Sequence, residues 1–111
     1  MREQPYLNLY TFALKLLGCM NKTAHQNEVI NRVRNLRVEK NLSQVDLAAI
    51  LEVSNGQIGN IESPKFQHKY TLKQLNIIAK SFNVSIYFLL TGDEKSFSTD
   101  ELIKAIIQYD E

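Results

Sequence analysis

The chain has 111 residues, enough for one compact domain with its own core. Hydrophobic residues make up 44% and charged residues 23%, which excludes a disordered polar chain. The net charge of +1 gives no overall basicity from which to infer a nucleic-acid partner, and the single cysteine, Cys19, excludes an internal disulfide and points to a reducing compartment.

Charge is spread unevenly. Residues 1–27 carry three basic and one acidic residue, and residues 28–92 carry eight basic and five acidic ones. Residues 93–111 carry two Lys and six acids. A mildly basic body with an acidic tail fits DNA binding, and it also fits an ordinary mixed-charge surface. The same boundaries divide the chain into an N-terminal helix and linker, a central domain at 28–92, and an acidic linker with a C-terminal helix.

Residues 6–20 are strongly apolar and end in Leu16-Leu17-Gly18-Cys19, which resembles a lipoprotein processing site. Glu3 cancels Arg2, and Asn8 and Lys15 interrupt the apolar run, so a secretion signal is a poor fit. The run is also shorter than the roughly 20 apolar residues that span a bilayer. It reads as an amphipathic helix, with Pro5 ahead of it and Leu7, Tyr10, Leu14 and Leu17 on one stripe. Residues 21–27 are polar and read as a linker.

Apolar spacing predicts six further helices. One covers 27–40, with Val29, Val33 and Leu36 inward and Arg32, Arg34, Asn35 and Glu39 outward, stopped near Asn41. Ser43 caps a helix over 44–51, whose inward face is Val45, Leu47, Ala48 and Leu51. Ser54 caps a helix over 55–62 with Ile58 and Ile61 inward, and Pro64 ends it by disfavouring helical geometry at Ser63. Residues 65–70 form a polar loop.

Thr71 caps a helix over 72–82, carrying Leu72, Leu75, Ile78, Ala79 and Phe82. Ser85 caps a short helix over 86–91 with Ile86, Phe88, Leu89 and Leu90, closed by Gly92. Residues 93–98 read as a polar linker. Ser98 or Thr99 caps a last helix to about 109, with Leu102, Ile103, Ile106 and Ile107 on one stripe. No run of alternating apolar residues predicts a strand, so the expected fold class is all-α.

The stretch from Leu42 to Glu62 carries the functional signal. Two short helices, each with a Ser cap, are joined by a turn of about three residues, and Ala48 is small where they should cross. This is the supersecondary unit that places its second helix in the major groove of DNA. The stretch resembles the phage repressor/Cro-like (xenobiotic-response-element) helix-turn-helix family. The likeness covers roughly 28–92, through Asn83-Val84-Ser85-Ile86-Tyr87-Phe88-Leu89-Leu90-Thr91-Gly92, which looks like the family's fifth-helix ending. It implies a five-helix domain in a cytoplasmic transcriptional regulator of bacterial or phage origin. It further implies a repressor that binds a short two-fold operator in double-stranded DNA as a dimer.

The resemblance also implies roles. Gln44 opens the first motif helix, where relatives contact the DNA backbone. Asn55, Gly56, Gln57 and Asn60 fall where relatives meet base edges, and Asn or Gln can bond adenine in a bidentate fashion. Ser54 is expected to cap its helix with its side chain and to touch a phosphate. Lys65, His68 and Lys69 fall where the family approaches the sugar-phosphate backbone. Arg37 and Glu62 match a pair that forms an internal, structural salt bridge in relatives.

Some residues depart from the family pattern. Gly56 stands where relatives often place a base-contacting side chain, and Gly59 is a second helix-weakening residue. Glu52 replaces a Gly common in the inter-helix turn, where a positive φ would strain it. Pro64 replaces a frequent Gly.

Plainer readings stand beside these. Asn55, Gln57 and Asn60 could be a solvated helix face, and Lys65 and Lys69 a solvated loop. Arg32 and Arg34 read as surface charges. His25 and His68 are far apart, and with one Cys they form no metal-ligand spacing. Cys19 reads as a buried small hydrophobe. No phosphate loop, nucleophile elbow or carboxylate pair stands out, so no enzyme, cofactor, metal, small-molecule ligand or membrane partner is expected. The helices at 6–20 and 99–109 must bury their stripes, in a homodimer interface or in an enlarged monomer core. A protein-interaction module or antitoxin-like partner protein on the same scaffold is the competing function.

Overall fold

The structure is a computed structural model that describes residues 22–111. The described residues are all-helical: α1 (Ala24–Glu39), α2 (Gln44–Leu51), α3 (Asn55–Glu62), α4 (Leu72–Phe82), α5 (Ile86–Thr91) and α6 (Thr99–Asp110). The helix expected over 6–20, with its stripe and Cys19, lies outside the described residues.

Local capping chemistry sets most boundaries. α1 begins at Ala24, three residues before the expected start, because Thr23 and Gln26 form a reciprocal cap. The Thr23 hydroxyl accepts from the Gln26 N–H, and the Gln26 carbonyl oxygen accepts from the Thr23 N–H, each at 3.0 Å. Residues 24–27, expected as linker, are therefore helix. The same box recurs at Ser43 with Asp46, Thr71 with Gln74, and Ser98 with Glu101. Hydrogen bonds from the Ser43 backbone and hydroxyl hold the Asp46 carboxyl below its ordinary range.

Three turns use left-handed residues: Asn41, Glu52 and Asn83 have φ of 58°, 58° and 57°. Asn tolerates this region, while Glu does so at a cost. Glu52→Gly is expected to raise stability by about 1 kcal/mol, the αL penalty relieved at a helix C-terminus. Urea unfolding checks this, and an unchanged or lowered midpoint would show that Glu52 carries no strain.

The core joins Val29 and Val33 of α1, Leu47 of α2, Ile58 and Ile61 of α3, Leu75 and Ile78 of α4, and Leu89 and Leu90 of α5. Several side chains differ from expectation. Val45 is 54% exposed rather than inward. It lies about 200° around the helix from Leu47 at 3.6 residues per turn, off the face that Leu47, Ala48 and Leu51 share. Arg32 does not simply face solvent; it is half-buried and donates to the Leu89 carbonyl at 2.7 Å. Burial lowers its pKa, partly offset by Glu28. Tyr70 ends the polar loop yet is fully buried. Phe97, in the polar linker, stacks on Tyr87 with ring centroids 4.5 Å apart.

α6 packs on α5 and α1 of the same chain. Ala105 and Tyr109 are its buried residues, with Leu102 and Ile106 half-buried beside them. Ile103 and Ile107 stay 47% and 55% exposed, so the expected four-residue stripe is split between two faces. Two hydrogen bonds fix the helix end: the Tyr109 hydroxyl donates to the Tyr70 carbonyl at 2.6 Å, and Gln26 Nε2 donates to the Tyr109 carbonyl at 2.7 Å.

Candidate nucleic-acid interface

α2 and α3 pack on each other, and Ala48 of α2 is small and fully buried. Helical period then sets which side of α3 faces the core. Ile58 and Ile61 point into the core with no exposed surface. Asn55 and Gly56 are exposed, and Gln57 and Asn60 are half-exposed; Asn55 and Gln57 flank the buried pair, while Gly56 and Asn60 lie farther round the helix.

The start of α3 differs from the other caps. Ser54 occupies the N-cap position with extended geometry, but its hydroxyl makes no capping bond, contrary to expectation. The Gln57 N–H, which that hydroxyl would satisfy, instead donates to the Ser54 carbonyl at 3.1 Å. The other end closes as the sequence predicts: Ser63, just before Pro64, is extended, with φ −85° and ψ 130°.

Glu62, the last residue of α3, gathers three helices. Arg37 of α1 approaches it bidentately: Nε donates to Oε2 at 2.9 Å and an Nη to Oε1 at 3.0 Å. The other Arg37 Nη donates to the Leu42 carbonyl at 2.7 Å. The Arg37 and Glu62 side chains are 10% and 4% exposed, so the pair is shielded from water. Gln44 of α2 donates its amide to Glu62 Oε1 at 2.9 Å. The Gln44 carbonyl oxygen lies 3.5 Å from where a Cβ on Gly59 would stand, so this carboxamide sits across the bare backbone of α3. Around Gly56, its own stretch of helix backbone aside, there is no heavy atom within 4 Å of the corresponding position.

The loop after α3 presents Lys65 and His68 to solvent. Phe66 packs edge-on against the His68 ring at 6.1 Å. Lys69 is half-exposed, with its ammonium 5.1 Å from the centre of the Tyr109 ring. Gln44, Ser54, Asn55, Gly56, Gln57 and Asn60 thus share the α2–α3 unit, Lys65 and His68 flank it, and Lys69 is engaged with the C-terminal helix.

Sequence reasoning missed Lys22. Its ammonium donates to the carbonyls of Ile61 and of Ser63, the latter at 2.9 Å. The partners lie about forty residues away, and no local spacing announces them.

Among the described residues, no three His, Cys, Asp or Glu side chains converge as a metal site. No described helix is long and apolar enough to cross a membrane.

A family profile describing a helix-turn-helix domain matches residues 30–95, more than half of the chain. The chain belongs to the helix-turn-helix domain family. The match runs from within α1 past the end of α5, so it includes the whole α2–α3 unit and the helices that support it. No curated protein and no solved structure matches the chain. The helix-turn-helix domain is a DNA-binding unit, consistent with a repressor/Cro-like protein, and its family is typically non-enzymatic. The all-helical fold agrees with that membership.

Proposed function

We propose that this helix-turn-helix protein is a transcriptional repressor that binds a short two-fold operator as a homodimer. The observation that carries this reading is the exposure pattern of α3: Ile58 and Ile61 are fully buried, while Asn55 is exposed and Gln57 and Asn60 are half-exposed around the rest of the helix. Accessible amide side chains on the second motif helix are what a recognition helix offers to base edges. Gln44, held by Glu62, is placed to meet the phosphate backbone, and the Ser54 hydroxyl, free of capping, is left for a phosphate oxygen. Lys65, His68 and Lys69 add backbone contacts, and Lys69 exchanges its ring contact for a phosphate.

One motif covers one half-site, so a two-fold operator calls for a second copy. The exposed Ile103 and Ile107 supply apolar surface for that pairing, and the stripe expected from the sequence at 6–20 is proposed to join them. Residues 28–92 are the DNA-binding unit, and the cytoplasm of a bacterium, or of one carrying a phage, is the setting.

Selection of bound sequences from random duplex DNA tests the proposal, and a two-fold symmetric consensus is expected. Asn60→Ala should lose about 1–3 kcal/mol at one base pair of each half-site and relax preference there. Gln44→Ala should weaken all sequences alike and reduce the salt slope by roughly 1. No enriched sequence, or binding indifferent to salt, would sink the reading. The same exposed isoleucines favour a second reading, a protein-interaction module or antitoxin-like partner. Co-purification of a different small protein, with no DNA retained at low salt, would select it.

A further inference from the structure

α3 is poorly equipped to hold itself together. It has eight residues, two of them glycine, and no basic residue in its last turn. A helix this short is marginal without tertiary support, and each interior glycine weakens it further against alanine. Its C-terminal carbonyls need outside donors. The Ser63 N–H serves the Gly59 carbonyl at 3.0 Å. The Ile61 carbonyl is served from elsewhere in the chain.

The donor is Lys22, two residues before α1. It is only 7% exposed, although lysine is almost never buried without a partner. Its ammonium bridges the carbonyls of Ile61 and Ser63, on either side of the helix end. A cation there also opposes the negative end of the helix dipole.

We propose that Lys22 is a positioning residue for DNA recognition: it caps α3 from outside the motif and keeps the end bearing Asn60 folded for base contact. This rests on the DNA-binding reading above. Burial lowers the Lys22 pKa, as a cation shut away from water requires, and its partner carbonyls keep it tolerable there. Uncapped, the glycine-bearing helix end opens readily, and DNA binding must then supply the ordering free energy.

Lys22→Met keeps the length of the stem and removes the donor. Amide hydrogen exchange in DNA-free protein should show protection at residues 60–63 falling about tenfold, while α4 is unchanged. Affinity for a duplex recovered by the selection should fall about fivefold. Gly59→Ala, added to Lys22→Met, should restore about threefold of that affinity by favouring helix. Lys22→Arg, which keeps a charged donor, should hold protection within twofold of the parent.

Unchanged protection at 60–63 in Lys22→Met would overturn the cap. Lost protection with unchanged affinity would overturn the positioning role. If the parent protein binds no selected duplex, the DNA reading fails, and exchange still decides the cap.

Discussion

Glu62→Ala is expected to destabilise the fold by about 3 kcal/mol, the usual cost of leaving one partner of a buried ion pair unpaired. The sequence leaves open whether this pair is exposed, and an exposed pair would contribute only about 0–1 kcal/mol. Burial decides the matter, since the Arg37 and Glu62 side chains are 10% and 4% exposed. Without Glu62, the Arg37 guanidinium keeps one hydrogen bond, to the Leu42 carbonyl, and loses both ion-pair bonds.

The Gln44 amide loses its anchor in the same variant. Urea unfolding should therefore show the stability loss, and DNA affinity, measured where the variant is fully folded, should fall as well. Arg37→Ala/Glu62→Ala together should cost less than the sum of the single changes, because no lone charge remains buried. A loss below 1 kcal/mol for Glu62→Ala would mean that water reaches the pair.

Tyr109→Ala is expected to cost about 3–5 kcal/mol, typical of truncating a fully buried aromatic side chain. Tyr109 joins the last turn of α6 to the loop after α3 through the Tyr70 carbonyl, and its ring lies under Lys69. Tyr109→Phe should cost about 1 kcal/mol, since only the hydrogen bond goes.

Burial raises the pKa of both Tyr109 and Tyr70, so each binds its proton more tightly folded than unfolded. That contribution is fully present below the unfolded value, near 10 for tyrosine, and is lost as pH rises above it. The alkaline loss of stability should be shallower in Tyr109→Phe than in the parent. Thermal melts across neutral and alkaline buffers would show it, and parallel curves for the two proteins would remove Tyr109 from the effect.

Helix positions were largely legible because capping is local. Ser43, Thr71, Ser85 and Ser98 each name a helix start and stand where the structure uses them. Thr23-x-x-Gln26 carries the same signal, but polar neighbours gave it the look of a linker. Ser54 has the right identity and position, yet its own backbone carbonyl takes the bond its hydroxyl would have made.

Contacts distant in sequence were harder to see. Tyr70 sits at the end of a polar run, and its burial depends on the rest of the fold, including Tyr109, thirty-nine residues on. Arg32 looks like a surface charge until α5 brings the Leu89 carbonyl to it. For the candidate interface, residue type was enough to separate Ile58 and Ile61 from Asn55, Gln57 and Asn60. It could not show that Gln44 would be tied to Glu62 or that Lys69 would lie over an aromatic ring.

The empty space around Gly56 bears on how such a protein could change over time. A methyl group added there would meet no neighbour beyond its own helix backbone, so natural variation at this point starts from open space. That variation would fall on the surface proposed to meet DNA. A lineage could then acquire a new target by one codon change, while the Arg37–Glu62 pair at the other end of α3 stayed as it is.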